Sequence, residues 1–342
     1  MQNEVAEATK PIAAAEDTRQ IIMRGTRHLG RAVTDDGGLA FRAWVIPASM
    51  IVLTEYAVAL AIGRFAGFAY SIPFKSYAIA ALTVAALGVF CIIAIRLIRR
   101  DFAKPFPFGF VSATILVALQ WAVVMWLKVM LPLTVGFWAD PMLARADAAL
   151  FLGAEPWRLA HALLWWADSF IDRAYVSWAP VKFALLVGLV LAPETRAKAV
   201  ALISYFLYGA ISVTLQYAMP SAGPVFYEAV GHGLRFADLP IAPWVSTEVS
   251  YLWSGYLSAG GKPGGGISAM PSVHVAASLW IALVIRAFTP RLQAFGWAYF
   301  GLILVGSVYL GWHYALDGIA GVIIALAAWR LAQALVARQA RA

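Results

Sequence analysis

The stretch GGGISAMPSVHVAASLW, from Gly264 to Trp280, contains no acidic residue, lysine or arginine and passes from glycines into an apolar segment. Three glycines do not favour a membrane helix, but they suit a tight loop. Backbone N–H groups of such a loop, followed by a helix N-terminus, form a good anion site. Ser272 and His274 fall in the first turn of the predicted helix. The stretch therefore predicts a phosphate-binding loop at the start of a membrane helix; a flexible loop with a helix cap is the alternative.

The remainder of the chain is as apolar as this stretch. Its 342 residues are 62% hydrophobic and 13% charged, whereas a soluble domain of this length needs more charge to cover its surface. The net charge of +8 is spread over segment ends rather than clustered, which argues against a nucleic-acid partner. Cys91 is the only cysteine, so a disulfide and a cysteine metal site are excluded. The composition predicts an all-α, polytopic transmembrane helical bundle.

Eight segments are apolar over the roughly 20 residues that a bilayer-spanning helix needs. They are residues 43–63, 77–98, 109–131, 174–193, 199–219, 270–288, 294–313 and 317–337. The intervening segment 133–172 is too polar to span, and its apolar periodicity predicts short helices at the membrane interface.

The chain divides into regions of different composition. Residues 1–18 are polar and are predicted to be disordered. Residues 19–41 predict a basic amphipathic helix on the cytoplasmic membrane surface, with a solvated linker as the alternative. Residues 42–132 hold the N-terminal transmembrane helices, and residues 173–338 hold the predicted catalytic membrane domain.

Lysines and arginines predict the orientation of the bundle. With eight spans they gather on one side, which the positive-inside rule assigns to the cytoplasm. The residues concerned are Lys10, Arg19, Arg24, Arg27, Arg31, Arg42, Arg96, Arg99, Arg100, Lys104, Arg196, Lys198, Arg286, Arg291, Arg338 and Arg341. We therefore expect cytoplasmic termini and an active site on the opposite face, in the periplasm if the membrane is a bacterial inner membrane. A Golgi-type membrane would present the same face to the lumen.

A second stretch, SVYLGWHYALDGIAG from Ser307 to Gly321, places a histidine and a carboxylate four residues apart. On a helix, His313 and Asp317 share one face and can touch. A carboxylate that accepts from one imidazole nitrogen leaves the other nitrogen free as a nucleophile or base. Helix capping is the alternative role for Asp317.

The two stretches together resemble signatures of the type 2 phosphatidic acid phosphatase superfamily. MPSVHVA is similar to its P-S-x-H signature, and H-x-x-x-D follows about 39 residues later, behind a serine. The likeness is strong over residues 220–325. Upstream, ADPMLARADAALFLGAEPW and PSAGPVFYE resemble the branch that contains inositol phosphorylceramide synthases.

Two basic elements of the superfamily are missing. Its K-x(6)-R-P signature is absent, with QYAMPSAGPVFYE (Gln216–Glu228) in its place, and Val308 stands where an arginine is expected after Ser307. In the hydrolases of the family these groups hold the phosphate, so their absence resembles the synthase branch. Because an unbalanced phosphate charge is costly in a partly dry site, we expect Lys262 and Arg235 to supply the balancing charge.

The resemblance implies a mechanism with two steps. His313, oriented by Asp317, attacks phosphorus to form a phosphohistidine, and His274 protonates the departing alkoxide. His274 then activates a second acceptor, which attacks the phosphoenzyme. The residues expected to bind the substrate phosphate are Ser272, Lys262, Gly265, Gly266 and Ser307.

The expected reaction moves a headgroup such as phosphoinositol from a phospholipid donor to a lipid alcohol acceptor, for example ceramide or diacylglycerol. In the competing reaction, water is the acceptor and the substrate is a lipid or isoprenoid phosphate. A transporter or scaffold without chemistry is the alternative from another class; an ionisable set at one membrane face argues against it.

Further candidates surround this core. Tyr227 and Glu228 are expected at the mouth of the site, and His232 could position substrate, although a surface histidine is the simpler interpretation. We expect no cofactor and no metal. The alternative is a metal site that combines His232 with His274, His313 and Asp317.

Overall fold

The computed structural model describes residues 38–67, 73–100, 108–258 and 265–339. All regular elements among these residues are helical, which confirms the all-α prediction. The predicted disordered terminus, nearly all of the amphipathic helix at 19–41, and Lys262 lie outside the described residues.

Twelve α-helices are found in the described part of the chain, and short 3₁₀ turns join some of them. They are α1 (Gly38–Phe65), α2 (Pro73–Arg99), α3 (Phe108–Thr134), α4 (Asp140–Leu150), α5 (Pro156–Leu164), α6 (Asp168–Val176), α7 (Trp178–Leu191), α8 (Arg196–Ala218), α9 (Pro243–Leu257), α10 (Val273–Phe288), α11 (Gln293–Tyr309) and α12 (Ala315–Gln339).

Six helical segments of the described chain are long and apolar enough to cross a bilayer. They are Gly38–Phe65, Phe108–Thr134, Pro156–Leu191, Arg196–Ala218, Pro290–Tyr309 and Ala315–Gln339. The other two predicted spans coincide with shorter apolar helices, Leu82–Ile98 and Val273–Phe288. The protein is thus an integral membrane protein.

The segment predicted at the interface, 133–172, contains the three short helices α4 to α6. Helices α5 to α7 follow one another so closely that Pro156–Leu191 forms one apolar run of spanning length. Trp165 and Trp166 lie at the break between α5 and α6, with about 70% of their surface exposed, as expected of aromatic anchors at a headgroup zone.

Helix α8 is central to the bundle, since the residues along its first half are almost all buried. Helices α10 and α12 pack against α8 and against each other. Gly321 of α12 permits this approach, because a Cβ there would lie 2.5 Å from the carbonyl oxygen of Ser272. The backbone N–H of Ser272 donates to the carbonyl of Asp317 at 2.9 Å. The starts of α10 and α12 are therefore fixed side by side.

Helix α4 holds the start of α12 from a third direction. The carboxylate of Asp147 accepts hydrogen bonds from the backbone N–H groups of Ala315 (2.6 Å) and Leu316 (2.9 Å). These are helix N-terminal amides that no intrahelical carbonyl can satisfy. Burial raises the pKa of the Asp147 carboxyl, and the two amide donors oppose that rise. Asp147 thus caps the start of α12 together with Asp317, whose carboxylate accepts from the N–H of Tyr314 at 2.9 Å.

Candidate active site

Two histidines meet where the starts of α10 and α12 come together. His274 is the second residue of α10, and His313 lies in the turn just before α12. Nδ1 of His274 is 3.0 Å from Nε2 of His313. On the other side of that ring, Nδ1 of His313 lies 3.4 Å from Oδ2 of Asp317. The three side chains form one chain of contacts, from carboxylate to imidazole to imidazole.

The carboxylate end of this chain is fully enclosed. Asp317 has 0% and His313 3% of its surface exposed. Oδ2 of Asp317 also accepts from the backbone N–H of Tyr314 at 2.9 Å, so this carboxylate binds an amide of the turn before α12 as well as facing the imidazole. The 3.4 Å contact lies outside hydrogen-bond geometry, and Nδ1 of His313 and Oδ1 of Asp317 have no hydrogen-bond partner among the described residues. The contact is therefore an electrostatic one that orients the ring.

Asp140 of α4 ties the loop after α8 to the turn that carries His313. Its buried carboxylate accepts from the backbone N–H groups of Ala222 (2.8 Å) and Gly223 (2.9 Å) and from the hydroxyl of Tyr314 (2.8 Å). Burial raises the pKa of the Asp140 carboxyl, while these donors oppose the rise. Gly223 has φ +95° and leaves only 2.5 Å between a hypothetical Cβ and the carbonyl oxygen of Trp312. A side chain at Gly223 would therefore displace this turn.

A cavity of about 370 Å³ opens beside the two histidines. The ring of Trp178 stands edge-on to His274, with 4.3 Å between ring centroids, and Tyr175 is 5.4 Å away. Most other lining side chains are aromatic or aliphatic. The aromatic ones are Trp121, Trp178, Trp244, Trp312, Tyr175, Tyr205, Tyr208 and Phe226. The volume falls within the range of ligand pockets, and the walls suit a substrate with apolar parts.

Two lysines from distant parts of the chain line the same cavity, Lys128 of α3 and Lys182 of α7. The sequence interpretation missed both. A signal was present, since each lysine interrupts an apolar segment predicted to span the membrane, and ionisable residues at such positions are functional candidates. Asp172 and Ser268 also line the cavity, each with a buried side-chain oxygen that has no hydrogen-bond partner among the described residues.

The predicted phosphate-binding residues differ in their position relative to the cavity. Gly266 lines the cavity, while Gly265 is buried beside it and does not. Ser272 is fully buried and caps α10, because its Oγ accepts from the N–H of Val275 at 3.3 Å. The hydroxyl of Ser307 donates to the carbonyl of Leu304 at 2.8 Å. The structure thus brings Gly266 to the cavity and engages both serines within their own helices.

Arg235 is not brought to the cavity, in contrast to the sequence expectation. Its guanidinium forms a salt bridge with Glu155 at 2.7 Å and donates to the carbonyl of Ala144 at 2.9 Å. Because its charge is already balanced, it is not free to neutralise a phosphate.

The remaining candidates also lie away from the cavity. Tyr227 is buried against Phe236, and Glu228 is exposed. Nε2 of His232 contacts the carbonyl of Phe137 at 2.8 Å and lies 4.0 Å from Asp140. No group of three or more histidine, cysteine or acidic side chains within the described ranges is arranged to hold a metal ion.

Comparison with known proteins identifies the family. A model of the PAP2 superfamily matches residues 141–331, more than half of the chain. The chain belongs to the PAP2 superfamily. The matched region includes the His274, His313 and Asp317 cluster and Lys182, but it ends short of Lys128 on the N-terminal side. Curated proteins yielded no match, and solved structures yielded none either. Membership of this superfamily indicates an activity of the lipid phosphatase or phosphotransferase type.

Proposed function

We propose that this protein is a lipid phosphotransferase. It would move a phospho-headgroup, such as phosphoinositol, from a phospholipid to a lipid alcohol through a phosphohistidine intermediate, as in the inositol phosphorylceramide synthase-like branch. The observation that carries the proposal is the contact chain from Asp317 through His313 to His274 at the wall of an apolar cavity. The aromatic walls and the volume support a lipid headgroup as substrate rather than a bare phosphate ion.

In the first step, Nε2 of His313 attacks the donor phosphorus. Asp317 faces Nδ1, which favours the tautomer with its proton on Nδ1 and leaves the Nε2 lone pair available. The bond between phosphorus and the lipid oxygen breaks, and His274 gives its proton to the departing alkoxide. General acid help of this kind is typically worth about 10²–10⁴-fold.

In the second step, neutral His274 takes the proton from the hydroxyl of the lipid alcohol. The resulting nucleophile attacks phosphorus, the bond between phosphorus and Nε2 of His313 breaks, and His274 ends protonated as it began. The two steps use one acid–base residue in opposite directions, which requires it to stay close to the phosphorus throughout.

The 3.0 Å contact between the histidines represents the resting arrangement of this pair. A phosphorus atom must approach the attacking nitrogen to about 3–3.5 Å, and it cannot do so while His274 occupies that position. Substrate binding must therefore separate the two rings. The hydrogen bond also keeps the nucleophilic nitrogen covered until substrate binds.

The expected location of the site is the non-cytoplasmic face of the membrane. Helices α10 and α12 begin at the site, while Arg286 and Arg338 lie in their last turns. Arg196 begins α8, whose other end leads into the loop held by Asp140. These three arginines thus lie at the helix ends remote from the histidines, as the positive-inside rule expects for a periplasmic site.

The test uses purified full-length protein in detergent–lipid micelles. Labelled phosphatidylinositol, phosphatidylglycerol, phosphatidic acid and an isoprenoid diphosphate serve as donors, each with and without ceramide or diacylglycerol. A new phospholipid that appears only with an acceptor, and not with His313→Ala, is the expected result. Release of free phosphate or headgroup without an acceptor would replace the transfer proposal by hydrolysis. Equal results for wild type and His313→Ala would contradict both and favour a transporter or scaffold.

A further inference from the structure

The cavity is lined by two lysines that form no salt bridge with the two acidic residues of its wall, Asp172 and Glu248. Lys128 and Lys182 both line it, and neither makes a hydrogen bond or salt bridge to another described residue. Lys182 has only 4% of its surface exposed. Its ammonium lies 4.5–4.9 Å from the ring centroids of Trp121, Trp178 and Phe183. Aromatic faces attract a cation, but they do not neutralise it.

Lys198 provides a comparison, because it is a buried lysine whose ammonium has polar partners. Lys198 is 1% exposed, and its ammonium contacts the carboxylate of Glu194 and the carbonyl oxygens of Val190 and Ala192 at 2.8–3.1 Å. Burying an unpaired charge is costly, and the protein avoids that cost at Lys198. The absence of comparable partners at the cavity therefore requires an explanation.

The two unpaired lysines lie next to the reacting groups. The ammonium of Lys182 and the imidazole of His274 both contact the ring of Trp178, at 4.5 Å and 4.3 Å from its centroid. Lys128 packs closely against the glycine loop. A Cβ atom added to Gly266 would lie only 2.6 Å from the Cβ of Lys128. The charges of both lysines act on His274, and the two lysines repel each other. All three groups thus share one electrostatic environment.

We propose that Lys128 and Lys182 hold the phosphate of the substrate while His313 attacks it. This inference rests on the proposed function and supplies the cations that the missing K-x(6)-R-P signature and the missing arginine after Ser307 leave out. An anion between the lysines removes both their desolvation penalty and their mutual repulsion. The ligand is therefore a phosphate ester of a lipid alcohol, either a monoester or a phosphodiester.

The lysines come from elements that the H-x-x-x-D and P-S-x-H stretches do not include. Lys128 projects from α3 and Lys182 from α7, so the phosphate site forms only when α3, α7, α10 and the turn before α12 pack together. Gly266 lines the same wall, and the hydroxyl of Ser268, which has no partner among the described residues, is an additional donor there. Charge stabilisation of this kind contributes most of the catalysis in phosphoryl transfer.

The experiment compares wild type with Lys128→Met, Lys182→Met, the double variant, and Arg173→Met as a control. Arg173 is exposed, and its replacement removes the same formal charge. The first readout is the Tm of the full-length protein in detergent with inorganic phosphate, against chloride at equal ionic strength. We expect phosphate to raise the Tm of wild type, Arg173→Met and the inactive His313→Ala variant, and to raise that of the double variant much less. Equal phosphate-dependent shifts in wild type and the double variant would overturn the proposal.

The second readout is turnover on whichever donor the wild type uses. Each lysine variant should lose about 10²–10³-fold in turnover, the usual effect of removing one donor to a developing charge, while Arg173→Met keeps wild-type turnover. Full turnover in Lys128→Met and Lys182→Met would overturn this proposal and leave the phosphotransferase proposal standing. The opposite result is loss of phosphate protection in the double variant, together with no turnover by wild type on any donor. It would support the phosphate site and contradict the phosphotransferase proposal.

Discussion

Two pairs of charged side chains lie near the two histidines, and the protein supplies hydrogen-bond partners to only one of them. Asp140 and Asp147 of α4 are surrounded by donors that use both carboxylate oxygens, five hydrogen bonds in all. Lys128 and Lys182 have no acceptor among the described residues and face a cavity. A buried charge that the fold satisfies serves the fold, and one that it leaves unsatisfied points to a ligand. The difference separates the positioning residues from those that we expect to meet substrate.

The comparison predicts that removing the charge destabilises the protein at a lysine with polar partners, but not at a lysine without them. Lys198→Met leaves Glu194 with only the indole N–H of Trp44 as a donor and should destabilise the protein by about 3 kcal/mol. Lys182→Met removes an unpaired buried cation, so the protein should be as stable as wild type or more stable. Thermal unfolding in detergent, without phosphate, measures both. A drop in Tm for Lys182→Met as large as that for Lys198→Met would contradict the distinction.

Asp140→Asn tests the stabilising role of a carboxylate that has hydrogen-bond partners. The substitution replaces one acceptor oxygen by an amide that must face a donor, so we expect a loss of about 1.5–3 kcal/mol. Turnover should fall with stability, because Tyr314 and the loop at Gly223 lose their common anchor. The matched control is Asp238→Asn, since Asp238 is exposed and makes only a surface ion pair with Arg158. Unchanged Tm in Asp140→Asn would mean that α4 does not hold the site.

The close approach of α10 and α12 is tested by Gly321→Ala. The new Cβ would lie 2.5 Å from the carbonyl oxygen of Ser272, so the helix starts must separate, at a cost of about 1–3 kcal/mol. Because His274 belongs to one start and Asp317 to the other, turnover should fall as well. Gly301→Ala on α11 is the control, since nothing lies within 4 Å of its Cβ position. Similar turnover in both variants would show that the spacing is not critical.

The smallest expected effect concerns the aromatic enclosure of Lys182. Trp178→Leu removes one of three rings around the ammonium and the edge contact to His274. A cation–π contact contributes about 0.5–2 kcal/mol, so we expect KM to rise about two- to thirty-fold, with a smaller change in kcat. Steady-state kinetics with a fixed acceptor separates the two constants. An effect on kcat alone would place Trp178 in the chemical step instead.

Sequence spacing indicated part of the geometry. His274 follows a proline and a serine at the start of α10, where the sequence placed it. His313 contacts Asp317 from the turn before α12 rather than from a helix that both residues share. The contact between His274 and His313 follows from the packing of α10 on α12, and the resemblance to a known family was needed to anticipate it.

The cationic half was not predictable in the same way. Lys128 and Lys182 are 54 positions apart in the sequence. They line the same cavity only because α3 and α7 both contribute to its wall. Sequence proximity favoured Arg235 as the phosphate-binding cation instead. In the structure, Arg235 forms a salt bridge with Glu155, which comes from a distant segment. Ser272 has the pattern of a phosphate ligand and of a helix cap, and only the direction of its hydroxyl distinguishes them. Tertiary packing decided the positions of the lysines and Arg235, and a local helix cap decided that of Ser272.

The most direct test of the central claim is to trap the covalent intermediate. A phospholipid donor labelled at phosphorus is mixed with full-length protein without acceptor, and the reaction is stopped in alkali, which preserves phosphohistidine. We predict label on wild type, located at His313 by mass spectrometry, lost when ceramide or diacylglycerol is added, and absent from His313→Ala. Label on another residue, label retained by His313→Ala, or turnover by wild type with no labelled protein at any time would contradict the account.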